Sequence, residues 1–128
     1  MSDQISANEQ TVRDFIRTAF HEGRAQEALD LYVGDRYIQH NPGVPDGSEG
    51  FIQAVKESIG THPNFVFDTR RVIATDEYVV LHSYMTLTGE GPGFAVMDIF
   101  RMEDGKIVEH WDVLQPVPED AANDNSMF

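Results

Sequence analysis

The sequence predicts an α+β domain in which three N-terminal helices pack on one face of a strongly curved antiparallel sheet. Two observations carry that prediction. Apolar residues recur at helical spacing as far as Ile59, and from Asn64 onward the pattern becomes roughly alternating, with β-branched and aromatic residues concentrated in it. The alternating half also divides into four runs separated by connections short enough for hairpins. A length of 128 residues supports one core and not two.

The elements follow in order. Ser6-Ala7-Asn8-Glu9 fits a capping box, so a helix is expected to start there and to bury Val12, Phe15, Ile16, Ala19 and Phe20 before Gly23 ends it. A shorter helix carries Ala25, Ala28, Leu29 and Tyr32 and stops at Gly34. Tyr37 to His40 reads as a short extended segment, which Asn41-Pro42-Gly43 must turn. Ser48 is placed to cap a third helix with Phe51, Ile52, Val55 and Ile59 on its buried face. The strands are Phe65 to Ala74, Tyr78 to Thr88, Phe94 to Met102 and Lys106 to Gln115. One domain is expected over residues 1–118, followed by an acidic tail, 119–128, expected to be flexible unless Met127 and Phe128 dock on a neighbour.

Three short helices cannot fill a strongly curved sheet of long strands. Its open end is expected to remain as a conical cavity lined by concave-face side chains.

Charge limits the partners. With 22 acidic against 9 Lys and Arg residues the net charge is -13, which opposes binding to nucleic acid and to anionic membrane surfaces. The absence of cysteine removes disulfides, thiolate nucleophiles, zinc ribbons and iron–sulfur clusters. MSDQISANEQTV has neither a basic nor an apolar signal region, and no apolar stretch is long enough to span a membrane, so a cytoplasmic protein is expected.

The chemistry-bearing candidates lie on the last two strands and the Asn-Pro turn. Phe94, Val96, Asp98 and Phe100 share a face, and an aspartate among large apolar neighbours is driven toward its protonated form, able to donate or shuttle a proton. The plainer alternative is a structural aspartate paired with Arg101 or Arg70. His40, at the rim of any cavity, has the side chain suited to proton transfer near neutral pH, or else merely caps the turn. On the fourth strand Val108, His110, Asp112 and Leu114 share one face, and Ile107, Glu109, Trp111 and Val113 the other. Periodicity does not choose between them. Either His110 and Asp112 enter the cavity beside Asp98, or Trp111 supplies a stacking wall. The pattern around His82 places it on the outer face. No metal is expected, since neither His-x-His nor His-Glu-x-x-His occurs. Gly89 to Gly93 is read as a hairpin and not as a phosphate loop.

The order of elements, with Tyr37-Ile38-Gln39-His40-Asn41-Pro42-Gly43 and the run Met97-Asp98-Ile99-Phe100-Arg101-Met102 continuing to Glu109-His110-Trp111-Asp112, resembles the SnoaL-like polyketide cyclases. These lie within the nuclear transport factor 2-like superfamily, and the resemblance covers roughly residues 8–118. It implies a cone-shaped α+β barrel, a homodimer, and an intramolecular aldol condensation that needs no cofactor and uses an aspartate, matched by Asp98, as acid and base. The ketosteroid isomerases are similar in architecture, and their Ile-Asp-His-Phe-Arg-Phe strand matches Met97 to Met102. Their base aspartate falls at His40 and their oxyanion-hole tyrosine at Phe15, which cannot donate a hydrogen bond. Epoxide hydrolysis of the limonene type needs an inward arginine between two aspartates, and Arg101 lies on the opposite face from Asp98.

The expected activity is therefore cofactor-free proton transfer next to a carbonyl, of the cyclase or isomerase class, on a small apolar carbonyl-containing ligand. Asp98 and His40 are the expected catalytic pair. His110, Asp112, Phe15, Trp111, Phe94, Val96 and Leu114 are the expected ligand contacts. The competing expectation is a non-catalytic small-molecule-binding or dimeric interaction domain of the same fold.

Overall fold

The computed structural model of the protein describes residues 3–128. Helix α1 spans Asp3–Ile16 and runs on through a π-helical turn, Arg17–His21, burying Val12, Phe15, Ile16, Thr18 and Ala19. It does not begin at Ser6, which lies inside it and is exposed. The reason is Asn8. Gln4 Nε2 donates to Asn8 Oδ1 at 2.6 Å, a contact one helical turn apart that requires helix on both sides of Ser6. Asn8 Nδ2 in turn donates to the carbonyls of Thr75 and Asp76 at 3.2 and 3.0 Å, tying the helix to the first hairpin. Glu9 pairs with Arg13 and not with a cap. Gly23 adopts φ +70 and ends the helix in the left-handed conformation expected of it.

Helix α2 is Ala25–Tyr32, and strand β1 follows at once as Val33–Gln39, longer than the segment expected from Tyr37. Helix α3, Gly47–Val55, is preceded by Asp46 as its cap residue, so Ser48 falls in the first turn. The Asp46 carboxylate accepts from the Gln39 backbone N–H at 2.9 Å, which fixes the loop between β1 and α3. Gly50 is required for contact, because a Cβ there would stand 1.7 Å from the Pro45 carbonyl oxygen.

The remaining strands are β2 Val66–Ala74, β3 Tyr78–Thr86, β4 Phe94–Glu103 and β5 Lys106–Pro116, each within two residues of its expected bounds. They form the expected antiparallel meander. The sheet as a whole is mixed, in the order β1-β5-β4-β3-β2, because β1 joins β5 in parallel through Ile38 with Glu109 and Gln39 with His110. Helices flank β1 on both sides in sequence, so no hairpin dictates its direction.

The helices cover the concave face. Phe15 stacks on Phe51 at 4.8 Å and meets Phe100 edge-on at 5.9 Å, joining α1, α3 and β4 in one core. The outer face carries His82 and Tyr84, with Ile73, Met97, Ile99 and Val113 exposed. Phe128 folds back onto this face, 5.8 Å from the His82 ring and 5.4 Å from Tyr84. No helix among the described residues is long and apolar enough to cross a membrane.

Candidate functional site

The open end of the curved sheet holds a cavity of about 200 Å³. Phe15, Phe20, Phe51, Phe65, Phe67 and Phe100 supply most of its wall, with Val96 and Leu114. One end is polar. Asp98, His110 and Asp112 meet Tyr37, Gln39 and Asn41 there.

Strand alternation explains the assembly. Val96, Asp98 and Phe100 point inward from β4 and His110 and Asp112 from β5, and register places Asp98 opposite Asp112 and Phe100 opposite His110. Of the two faces that periodicity left open on β5, the one with His110 and Asp112 is inside. A bulge opposite Arg101 and Met102 breaks the alternation, however, so that Ile107, expected on the face of Trp111, is buried in the core as well. From β1 and the turn after it, Tyr37, Gln39 and Asn41 reach the same end.

His110 Nε2 lies 2.7 Å from Asp98 Oδ1, and both side chains are nearly buried, at 9 and 7% exposure. The other His110 nitrogen, Nδ1, is 2.8 Å from Gln39 Oε1. Asp112 Oδ1 accepts from Asn41 Nδ2 at 2.8 Å, while its Oδ2 is 3.9 Å from His110 Nε2. Asp98 Oδ2 is buried and has no hydrogen-bond partner. Burial raises the Asp98 carboxyl above its ordinary value, the His110 hydrogen bond and charge partly oppose the rise, and the Asp112 charge adds to it. Burial also raises the Tyr37 hydroxyl, helped by the negative charges of Asp98 and Asp112.

Asp98, His110 and Asp112 each offer an atom, all within 4.8 Å of one another, a donor set able to hold a divalent ion. Two atoms sharing a zinc-like ion at about 2.1 Å stand at least about 3 Å apart. The 2.7 Å contact between His110 and Asp98 is shorter and has the length of a shared proton.

His40 is not brought to Asp98. It points away from the cavity, where Nε2 is 2.7 Å from Glu109 Oε2 and the ring stacks flat on Trp111 at 4.7 Å. The cause is simple alternation, since Gln39 and Asn41 on either side of it both face inward. Trp111 is likewise on the outer face, and Phe94 is not among the residues lining the cavity. Arg101 turns outward as expected, with Nε 2.8 Å from Glu109 Oε1, and therefore pairs with Glu109 and not with Asp98. Gln39 and Asn41, in the run from Tyr37 to Gly43, are further residues of the site that side-chain reactivity does not mark. The parity of Tyr37, Gln39 and Asn41 was the available signal.

Residues 12–110 match the SnoaL-like domain family. Among solved structures, two proteins described as putative polyketide cyclases are similar. One, from Acidithiobacillus ferrooxidans, is 24% identical with a TM-score of 0.71, covering 89% of this chain and 91% of its own. The other, from Bacillus cereus, is 22% identical with a TM-score of 0.71, over 84% of this chain and 74% of its own. A nuclear transport factor 2-like protein from Mesorhizobium loti is 18% identical with a TM-score of 0.71, over 90% and 96% of the two chains. These likenesses establish the cone fold. A comparison with curated protein sequences gives no match.

Proposed function

Because the chain belongs to the SnoaL-like domain family, we propose that its cavity carries out cofactor-free proton transfer next to a carbonyl, as a cyclase-type enzyme, with Asp98 held by His110 as acid and base. The single observation that carries the reading is the state of the Asp98 carboxyl. Oδ1 is anchored by His110, and Oδ2 is buried at the cavity end with no partner of its own. Such an oxygen is costly to maintain unless a ligand uses it.

Asp98 Oδ2 removes a proton from the carbon beside the substrate carbonyl, and the C–H electron pair moves to that carbonyl oxygen as an enolate. The enolate carbon attacks a second carbonyl carbon of the same molecule, forming the C–C bond. Asp98 then gives its proton to the new alkoxide oxygen, so protons and charge balance. Returning the proton to carbon without ring closure gives an isomerisation by the same residues. The phenylalanine walls take up the apolar body of the ligand and exclude water from the enolate. The likeness to the Acidithiobacillus and Bacillus polyketide cyclase-like proteins supports the cyclisation variant.

Deuterium exchange into β-keto ester and cyclic ketone probes tests the reading. Wild type is expected to exchange, Asp98→Asn to lose about 10²- to 10⁴-fold, and His40→Ala to match wild type. Unchanged exchange in Asp98→Asn would overturn it. The apolar wall equally suits a domain that only binds, and that reading gains if probes bind without any exchange in wild type. We also infer a homodimer through the outer face bearing Ile73, Met97, Ile99 and Val113, to be checked by light scattering.

A further inference from the structure

We infer that Gln39 and Asn41 are positioning residues that fix where the protons of the site lie: Gln39 keeps a proton on His110 Nδ1, so that in the resting site one proton is shared between His110 Nε2 and Asp98, and Asn41 holds Asp112 as an acceptor. The inference rests on the acid and base role proposed for Asp98.

The amide orientations follow from backbone donors. The Asn41 backbone N–H donates to Gln39 Oε1 at 3.0 Å. Only the oxygen of that carboxamide can accept there, so the amide cannot be flipped without setting two donors against each other. The same oxygen is 2.8 Å from His110 Nδ1, which must therefore carry hydrogen. With Nδ1 protonated, a neutral ring presents a lone pair at Nε2. Against an ionised carboxylate at 2.7 Å that arrangement is repulsive, so one proton lies between them, as imidazolium with carboxylate or as imidazole with carboxylic acid.

The second amide is fixed in the same way. The Gly43 backbone N–H donates to Asn41 Oδ1 at 2.8 Å, which leaves Asn41 Nδ2 to donate to Asp112 Oδ1 at 2.8 Å. Pro42 has no N–H, so the two backbone donors available in Asn41-Pro42-Gly43 each set one side-chain amide. The turn thus acts on Asp112 directly through Asn41 and on Asp98 through Gln39 and His110. Every group facing His110 agrees with this arrangement: Asp98 and Asp112 at Nε2, Gln39 at Nδ1, and the Tyr37 and Phe100 rings on its faces.

The test is nitrogen-15 NMR of the His110 ring together with exchange kinetics. In wild type the expected result is Nδ1–H retained throughout the titration, a measurement that needs no turnover and therefore stands even if the exchange reading fails. Gln39→Leu is expected to mix the two tautomers, to lower kcat for exchange by about 10- to 100-fold with little change in KM, and to move the pH profile. Gln39→Glu, which still accepts from both donors, is expected to recover most of that loss. Finding wild-type His110 as the Nε2–H tautomer, or finding Gln39→Leu and Gln39→Glu equal in rate and pH profile, would overturn the inference.

Discussion

Two histidine–carboxylate pairs of the same length sit on opposite faces of this sheet. His110 and Asp98 meet at 2.7 Å inside the cone, and His40 and Glu109 meet at 2.7 Å outside it. Their surroundings differ. The inner side chains are 9 and 7% exposed, the outer ones 40 and 15%. The carboxyls respond in opposite directions. Burial drives Asp98 upward against the pull of His110, whereas the His40 hydrogen bond, then Arg101, holds Glu109 below the usual glutamate value despite some desolvation. Contact geometry alone therefore does not set the direction in which a carboxyl shifts. Removal of water and the lack of a second partner on Asp98 Oδ2 make the difference.

The largest expected contrast is in rate. Asp98→Asn should lower probe exchange by about 10²- to 10⁴-fold, and Glu109→Gln should leave it within about twofold, measured side by side by mass spectrometry. Equal losses would mean that the outer pair is part of the machinery and would end the comparison.

Stability should separate the pairs next. Removing one partner of a buried pair leaves the other without compensation, so His110→Leu is expected to cost about 3 kcal/mol in urea unfolding. His40→Ala removes an exposed partner and should cost less than about 1 kcal/mol.

The pH dependence of stability should have opposite sign at the two carboxyls. Asp98 in the folded chain keeps its proton above 3.8, the value of an ordinary aspartate, so the folded state binds more protons than the unfolded one in that window. Its contribution is fully present below 3.8 and is lost as pH rises through the raised folded value. The slope is at most about 1.4 kcal/mol per pH unit for each proton, and it belongs to the Asp98–His110 pair because the proton is shared. Glu109 contributes above 4.5 and loses that contribution as pH falls through its lowered value. Relative to wild type, Asp98→Asn should therefore gain stability as pH rises, and the deficit of Glu109→Gln should disappear in acid. Urea unfolding across pH checks both slopes.

The contrast also shows what the sequence could carry. The change of period at Asn64 marked out the sheet, and alternation put Asp98 among Val96 and Phe100 because a strand offers only two faces. Alternation could not choose the inner face of β5, since His110 with Asp112 and Trp111 with Val113 are equally mixed in polarity. That choice depends on the register of β5 against β4, where a bulge between Arg101 and Met102 shifts the pairing by one residue and so brings His110 opposite Phe100 and Asp112 opposite Asp98. Such a bulge leaves no mark in the alternation. His40 drew attention by residue type, whereas its neighbours Gln39 and Asn41, less reactive by themselves, hold the site. The start of α1 departs from the cap spacing for a related reason. Ser6 and Glu9 have the spacing of a cap, but the bonds of Asn8 to Gln4 and to the Thr75 and Asp76 carbonyls decide where the helix lies.

The smallest expected effect gives the sharpest positional test of the two faces. Trp111 is the sole tryptophan, and it lies outside the cone, stacked on His40 and 6.5 Å from the Tyr78 ring. Trp111 does not line the cavity, so a neutral aromatic ketone that enters it is expected to contact the phenylalanine walls and the Asp98 end and not that indole. Saturating probe should leave Trp111 emission nearly unchanged while it shifts the ring resonances of Phe15 and Phe100. His40→Ala should do the reverse, altering Trp111 emission by uncovering one ring face and leaving probe affinity as it was. Quenching of Trp111 by the probe in both wild type and His40→Ala would place the indole in the ligand's path, and would return the inner face of β5 to the alternative that Trp111 forms a stacking wall.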